Sequence, residues 1–217
     1  MKVIVFGSTG MIGQGVLREC SNAADVEAVL AIVRRASHEP HEKVRELVHE
    51  DFLDFSGLDL SGYDACFFCL GISSAGMSEE AYRRVTYDVP MAAAHVLAKS
   101  NPSMTFIYVS GAGTDANGRA MWARVKAEAE QALLALPFAA AYMFRPAFIQ
   151  PLHGITSRTR LYRAVYAVMG PLYPMWKRLF PKYVTTTEQV GRAMLHVARH
   201  GAPKTILEND DINALAD

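Results

Sequence analysis

The chain has 217 residues, 51% of them hydrophobic, which suits one α/β domain with a sizeable core and not two full domains. Lys plus Arg and Asp plus Glu each number 22, so the formal net charge is zero and charge makes no case for a nucleic-acid partner. The three cysteines, Cys20, Cys66 and Cys69, are too few for a disulfide framework and fit a reducing cytoplasm, the location expected on this ground.

Met1 to Phe6 is a short apolar run that meets glycine at once, so it reads as a first strand from Val3 and not as a signal peptide. No stretch reaches the ~20 apolar residues of a membrane span. Gly7-Ser8-Thr9-Gly10-Met11-Ile12-Gly13 follows, opening a helix from about Ile12 to Cys20. Val26 to Val33 predicts a second strand, Val44 to His49 a third, and Ala65 to Leu70 a fourth that enters Gly71. Cys66 and Cys69 lie within that run, where residues three apart point to opposite faces, so they read as core residues and not as a metal pair. Glu79 to Ser100 has helical periodicity and stops before Asn101-Pro102. Thr105 to Val109 is a fifth strand, Ala120 to Leu136 a long helix, and Ala140 to Phe144 a sixth strand closed by Arg145-Pro146. Thr185-Thr186-Thr187-Glu188 has a capping-box pattern that starts a helix to about His200, and Thr205-Ile206-Leu207 could be a last short strand.

Strands alternating with helices predict a doubly wound parallel sheet of Rossmann type. The expected organisation is one dinucleotide-binding domain over 1–217, with 150–184 as a small C-terminal lobe. Ligands of such sheets sit beyond the carboxyl ends of the strands. The glycine loop fits this place, because glycine lets the backbone approach a pyrophosphate and the following helix N-terminus offers unpaired N–H groups. A ligand-free flexible turn would look similar. At the end of the second strand, where an acid would hold the ribose hydroxyls of NAD, stand Arg34 and Arg35, with no acid before Glu39. Arginine suits an extra phosphate, so NADP(H) is expected ahead of NAD(H), although two solvated surface arginines would give the same letters.

The ordered set resembles the extended and atypical short-chain dehydrogenases/reductases, nearest to the Tat-interacting-protein-like branch and to small epimerase/dehydratase-like proteins. The residues that carry the resemblance are the glycine loop, Cys69-Leu70-Gly71 after the fourth strand, Val109-Ser110-Gly111-Ala112-Gly113 after the fifth, Lys126, and Phe144-Arg145-Pro146 after the sixth. It implies cofactor contacts from Gly7 to Gly13, Leu70, Gly71, Lys126, Arg145 and Pro146. It also implies an acid near the adenine, for which Asp51 beside Phe52 is the candidate. Ser110 and Lys126 would border the reacting centre of an oxidoreductase or epimerase acting on a small carbonyl or hydroxyl compound.

One position departs from the family. The family tyrosine lies four residues before the lysine, and here that residue is Trp122. Four residues on a helix keep Trp122 and Lys126 on one face. An indole only donates a hydrogen bond and cannot relay a proton as the phenol does. Tyr87, Tyr142 and His153 are candidates for a substitute. The competing reading is a non-catalytic NADPH-binding regulatory or interaction protein, with Trp122 as a packing residue.

His196 and His200 have a metal-ligand spacing without an evident acidic or cysteine partner, and no metal is expected. Arg158 to Lys182 is apolar and punctuated by basic residues, and Gly170-Pro171 breaks any single helix there. It could cover the cleft, form a homodimer interface, lie on a membrane surface through 161–180, or simply pack as a small lobe.

Overall fold

The computed structural model describes residues 1–36, 42–155 and 178–216. Its centre is a seven-stranded parallel sheet, built from β1 (Lys2–Phe6), β2 (Ala28–Val33), β3 (Val44–Val48), β4 (Ala65–Phe68), β5 (Thr105–Val109), β6 (Ala140–Arg145) and β9 (Ile206–Glu208). The spatial order is β3-β2-β1-β4-β5-β6-β9, so the order reverses at β1. Val5 pairs with Ala31 on one side and Phe67 on the other, which places the ends of β1 and β4 side by side. A crevice at that reversal is where doubly wound sheets take ligands.

The period-2 alternation of the strands sorts the core into two layers. Val3, Val5, Phe67, Ile107 and Phe144 face α1 (Met11–Asn22), α5 (Thr187–His200) and α6 (Asn209–Ala216). Ile4, Phe6, Phe68, Phe106 and Tyr108 face α3 (Val89–Ser100) and α4 (Met121–Leu134). Cys66 packs in the second layer and Cys69 in the first, as their spacing predicts. Burial pushes both thiols above their ordinary range.

The run expected as one helix over Glu79 to Ser100 is divided. α2 (Glu79–Arg83) leads into a π-helical turn at Arg84–Asp88, and α3 follows. Pro90 supplies a cause: it has no N–H to give to the Thr86 carbonyl four residues earlier. The Val89 N–H reaches back five residues to Arg84, and the buried Tyr108 hydroxyl donates to the Thr86 carbonyl at 3.1 Å.

A two-stranded parallel ribbon, β7 (Phe148–Gln150) with β8 (Val184–Thr186), was not expected. It draws Thr185 and Thr186 into a strand, so α5 begins one residue later than the four-residue pattern suggests. Its cap is Thr186, whose hydroxyl accepts the Gln189 N–H at 3.0 Å. Most of the expected lobe at 150–184, including the apolar 161–177, lies outside the described residues.

α1 and α5 meet at two glycines. A Cβ on Gly15 would stand 2.6 Å from the Thr187 carbonyl oxygen, and one on Gly191 would stand 2.7 Å from Glu19 Cγ. The two helices therefore approach at backbone distance.

Candidate dinucleotide site

The glycine loop is built by close approach. Gly7 has a φ of +74°, and a Cβ there would lie 2.6 Å from the Leu70 nitrogen, so the end of β1 is pressed against the segment leaving β4. The Gly10 N–H donates to the Gly7 carbonyl at 2.9 Å and closes the turn. A Cβ on Gly13 would stand 2.0 Å from the same carbonyl oxygen. α1 starts at Gly10 with no side-chain cap and no acid in its first turn. The N–H groups of Met11, Ile12 and Gly13 have no partner within the helix by its geometry, and they share its positive dipole end. The Ser8 side chain is buried, and its Oγ has no hydrogen-bond partner among the described residues. An uncapped helix end, a cradle that side chains would fill and an orphaned hydroxyl together fit a pyrophosphate.

A cleft of about 280 Å³ adjoins this loop. Gly7, Thr9 and Gly10 form one side, Ile32, Val33 and Arg34 another, and Phe52, Leu70 and Gly71 continue the lining. Val85 of the π-helical turn and Val89 of α3, four residues apart, close the apolar side. The volume sits at the lower edge of the range for small-molecule pockets, ~300–1,000 Å³, so it suits the adenosine half of a dinucleotide.

Arg34 lines the cleft, whereas Arg35 is exposed outside its lining. Neither has a carboxylate partner among the described residues. Phe52 contributes to the wall and packs edge-on to Phe6 at 6.3 Å. Asp51 is exposed and does not line the cleft. Its Oδ1 accepts the Leu53 N–H at 2.9 Å, which makes it a turn former here.

The second half of the site gathers at the end of β5. The Ser110 N–H donates to the Phe144 carbonyl at 2.7 Å, and the Ala112 N–H donates to the Pro146 carbonyl at 3.0 Å, so Pro146 anchors this loop. Thr114 Oγ1 donates to the Gly111 carbonyl at 2.8 Å and accepts from the buried Ser110 hydroxyl at 3.0 Å. The six-membered ring of Trp122 packs on Gly113, 3.4 Å from the place of a Cβ there. Lys126, one turn along α4, points its Nζ at the Val109 carbonyl at 3.5 Å and lies 5.6 Å from the centre of the Tyr108 ring. The loop after β5 thus has Trp122 against its Gly113 and Lys126 against the Val109 carbonyl that precedes Ser110.

Arg145 corrects an expectation. Its guanidinium is held by both oxygens of the buried Glu130, at 2.9 and 2.5 Å, and by Glu208 at 3.1 Å, and is not offered to a cofactor. Nothing in the sequence pairs Glu130 with Arg145, since only the folded chain puts them side by side. Two of the proposed substitutes for the tyrosine, Tyr142 and His153, are otherwise engaged. The Tyr142 hydroxyl accepts the Ala202 N–H at 3.2 Å, beyond the C-terminus of α5. His153 is bonded to Glu188 at 2.6 Å. The Tyr87 ring lies 4.2 Å under the Arg83 guanidinium. The rings of His196 and His200 pack edge to face, 5.1 Å apart.

The strand order and the glycine cradle define a Rossmann fold with the architecture of the short-chain dehydrogenases/reductases. Solved structures agree on the fold. A short-chain dehydrogenase/reductase of Saccharomyces cerevisiae, YIR035C, superposes over 100% of this chain and 98% of its own with a TM-score of 0.70 at 11% identity. MoeE5 in complex with UDP-glucose and NAD does so over 100% of this chain and 81% of its own with a TM-score of 0.67 at 14% identity.

Sequence relatives place the chain beside the FMP52 and HTATIP2 proteins. The mitochondrial protein FMP52 of Eremothecium gossypii is 30% identical over 148 residues, which are 67% of this chain and 65% of that protein. HTATIP2 of Rattus norvegicus is 28% identical over 149 residues, 66% of this chain and 61% of that protein. The chain thus matches a little under two thirds of the length of these relatives. No family model matches it. The cytoplasmic location expected above is withdrawn, because the FMP52 relatives are mitochondrial by name. Sparse free cysteine reports reducing chemistry and not a compartment.

Proposed function

We propose that the chain binds NADP(H) and acts as an oxidoreductase of the short-chain dehydrogenase/reductase type on a small carbonyl or hydroxyl compound. The observation that carries the cofactor reading is Arg34 in the cleft wall, without a carboxylate partner among the described residues, at the strand end where the nucleotide ribose would lie. The loop N–H groups from Met11 to Gly13 and the Ser8 hydroxyl would hold the pyrophosphate, and Phe52 and Val89 would flank the adenine side. Bound reduced nicotinamide would supply a hydride. The residues at the end of β5 would border the acceptor carbonyl, and the Ser110 hydroxyl would turn its proton from Thr114 to donate to that oxygen.

Trp122 favours a second reading, a cofactor-binding protein without turnover, since it puts an indole where the resembled enzymes have a phenol. Parallel titrations with NADPH and NADH test the first claim. NADPH is expected to bind at least ~10-fold tighter, the worth of one charge-assisted contact. Equal or tighter NADH binding would remove the NADP assignment. Carbonyl-dependent oxidation of NADPH separates the two readings.

A further inference from the structure

The end of β5 holds few exchangeable protons. Trp122 offers an indole N–H, which does not titrate near neutral pH. The Ser110 proton goes to Thr114 and the Thr114 proton to the Gly111 carbonyl. The Tyr108 hydroxyl is buried and donates to Thr86. That leaves Lys126, whose hydrogen bond to the Val109 carbonyl is long, 3.5 Å.

The groups around Lys126 set its charge. On its own helix, one turn on, Glu130 is the carboxylate that would ordinarily fix an ammonium. Arg145 of β6 occupies both Glu130 oxygens and is itself backed by Glu208 of β9. From β5 the Tyr108 ring faces the ammonium, and Tyr82 of α2 is a further buried phenol beside Tyr108. The Tyr108 phenol carries no charge, since burial pushes it far up. Burial lowers Lys126 to about 8, with Glu130 opposing only in part. Taken as a whole, the residue is only partly buried.

We propose that Lys126 is the proton donor of this site, taking the role that a tyrosine fills in the resembled enzymes. The inference rests on the reductase reading above. The Lys126 ammonium gives one N–H proton to the oxygen of a carbonyl whose carbon takes a hydride, with its two electrons, from a reduced nicotinamide. The carbonyl becomes an alcohol, the nicotinamide is oxidised, and the neutral amine regains its proton from solvent. Arg145 is a positioning residue: by holding Glu130 it keeps that carboxylate from fixing the ammonium charge.

The test reads the lysine directly, without cofactor, by NMR titration of its Nζ group, assigned by the signal that Lys126→Arg removes. A midpoint near pH 8 is expected, against ~10.4 for an ordinary lysine. Arg145→Met should raise that midpoint, because it releases Glu130 toward the lysine. Should that variant not fold, the double variant Glu130→Gln/Arg145→Met, which strands no buried charge, should keep a depressed midpoint. Turnover is read with NADPH and 9,10-phenanthrenequinone as the carbonyl probe. The wild-type rate should fall above the lysine midpoint as the donor loses its proton. Lys126→Arg, which holds its proton below pH ~12, should bind NADPH and reduce the quinone at least ~10²-fold more slowly.

An ordinary lysine midpoint overturns this proposal alone. So does a wild type that binds NADPH and leaves the quinone unreduced, or a Lys126→Arg variant that keeps the wild-type rate. A wild type that binds no NADPH overturns the cofactor reading and this proposal with it.

Discussion

Gly13→Ala puts the phosphate loop to its most direct test. The added methyl would stand 2.0 Å from the Gly7 carbonyl oxygen, 2.6 Å from the Gly7 carbonyl carbon and 2.8 Å from Ser8 Cα. All three are backbone atoms, so no side-chain rotation relieves the overlap. The first turn of α1 must withdraw by at least about 1 Å to reach the 3.0 Å that real Cβ contacts respect. Overpacking costs ~1–3 kcal/mol, and rigid backbone on the far side puts this case at the upper end. The better helix propensity of alanine returns ~1 kcal/mol. The net cost of about 2 kcal/mol lowers the Tm of a chain this size by ~4–8 °C. The withdrawal also carries the Met11, Ile12 and Gly13 N–H groups away from the anion. Loss of one charge-assisted bond, at ~1.5–3 kcal/mol, weakens NADPH by ~10- to 150-fold. Gly10→Ala is the internal control. Its methyl would meet the Gly7 oxygen at 3.2 Å, a crowding of a few tenths of an ångström, and should cost ~1 kcal/mol or less. Nicotinamide fluorescence titration and thermal melts read both quantities. A Gly13→Ala protein that binds NADPH as the wild type does, with an unchanged melt, refutes the cradle.

Three further outcomes are expected. Arg34→Ala should weaken NADPH by ~10-fold or more and leave NADH unchanged in the same titrations, whereas Arg35→Ala, outside the cleft lining, should change either by less. Trp122→Tyr places a phenol one turn from Lys126 and should raise NADPH-dependent carbonyl reduction by up to ~10²-fold in initial-rate assays; a slower variant contradicts the account of Trp122. Glu188 is held below its ordinary 4.5 chiefly by its hydrogen bond to His153, and further by Arg192 and Arg18. A depressed carboxylate stabilises the fold above its unfolded value and loses that contribution as pH falls through its folded one. The stability gap between wild type and Glu188→Gln, read by urea unfolding, should therefore be full above pH 4.5 and close at lower pH.

The glycine loop was legible because it is local. A strand, a glycine loop and a helix N-terminus are consecutive in sequence, and parallel strand order follows from alternating elements. Trp122 and Lys126 were legible for the same reason, since four residues of helix fix their common face. Partners brought from distant elements were not. The sequence around Arg145 gives no sign of Glu130 or Glu208, and their carboxylates turn a supposed cofactor contact into an internal clamp. The β7–β8 ribbon escaped because three residues per strand are too few to show a period. The π-helical turn carried one readable sign, Pro90 within a helical pattern, where the missing N–H forces the register to change.

The glycine contact between α1 and α5 has a consequence for how the protein is made. Gly15 and Gly191 come from opposite ends of the described chain, yet their helices touch at backbone distance, and α1 carries the phosphate loop on its first turn. Long-range contacts of this kind form late, after the loop between them has closed. During synthesis the first strand and glycine loop leave the ribosome long before α5 exists to brace them. A nascent chain halted before Thr187 would then leave α1 and its glycine loop unbraced, and the loop would take its final form only when the last helices dock.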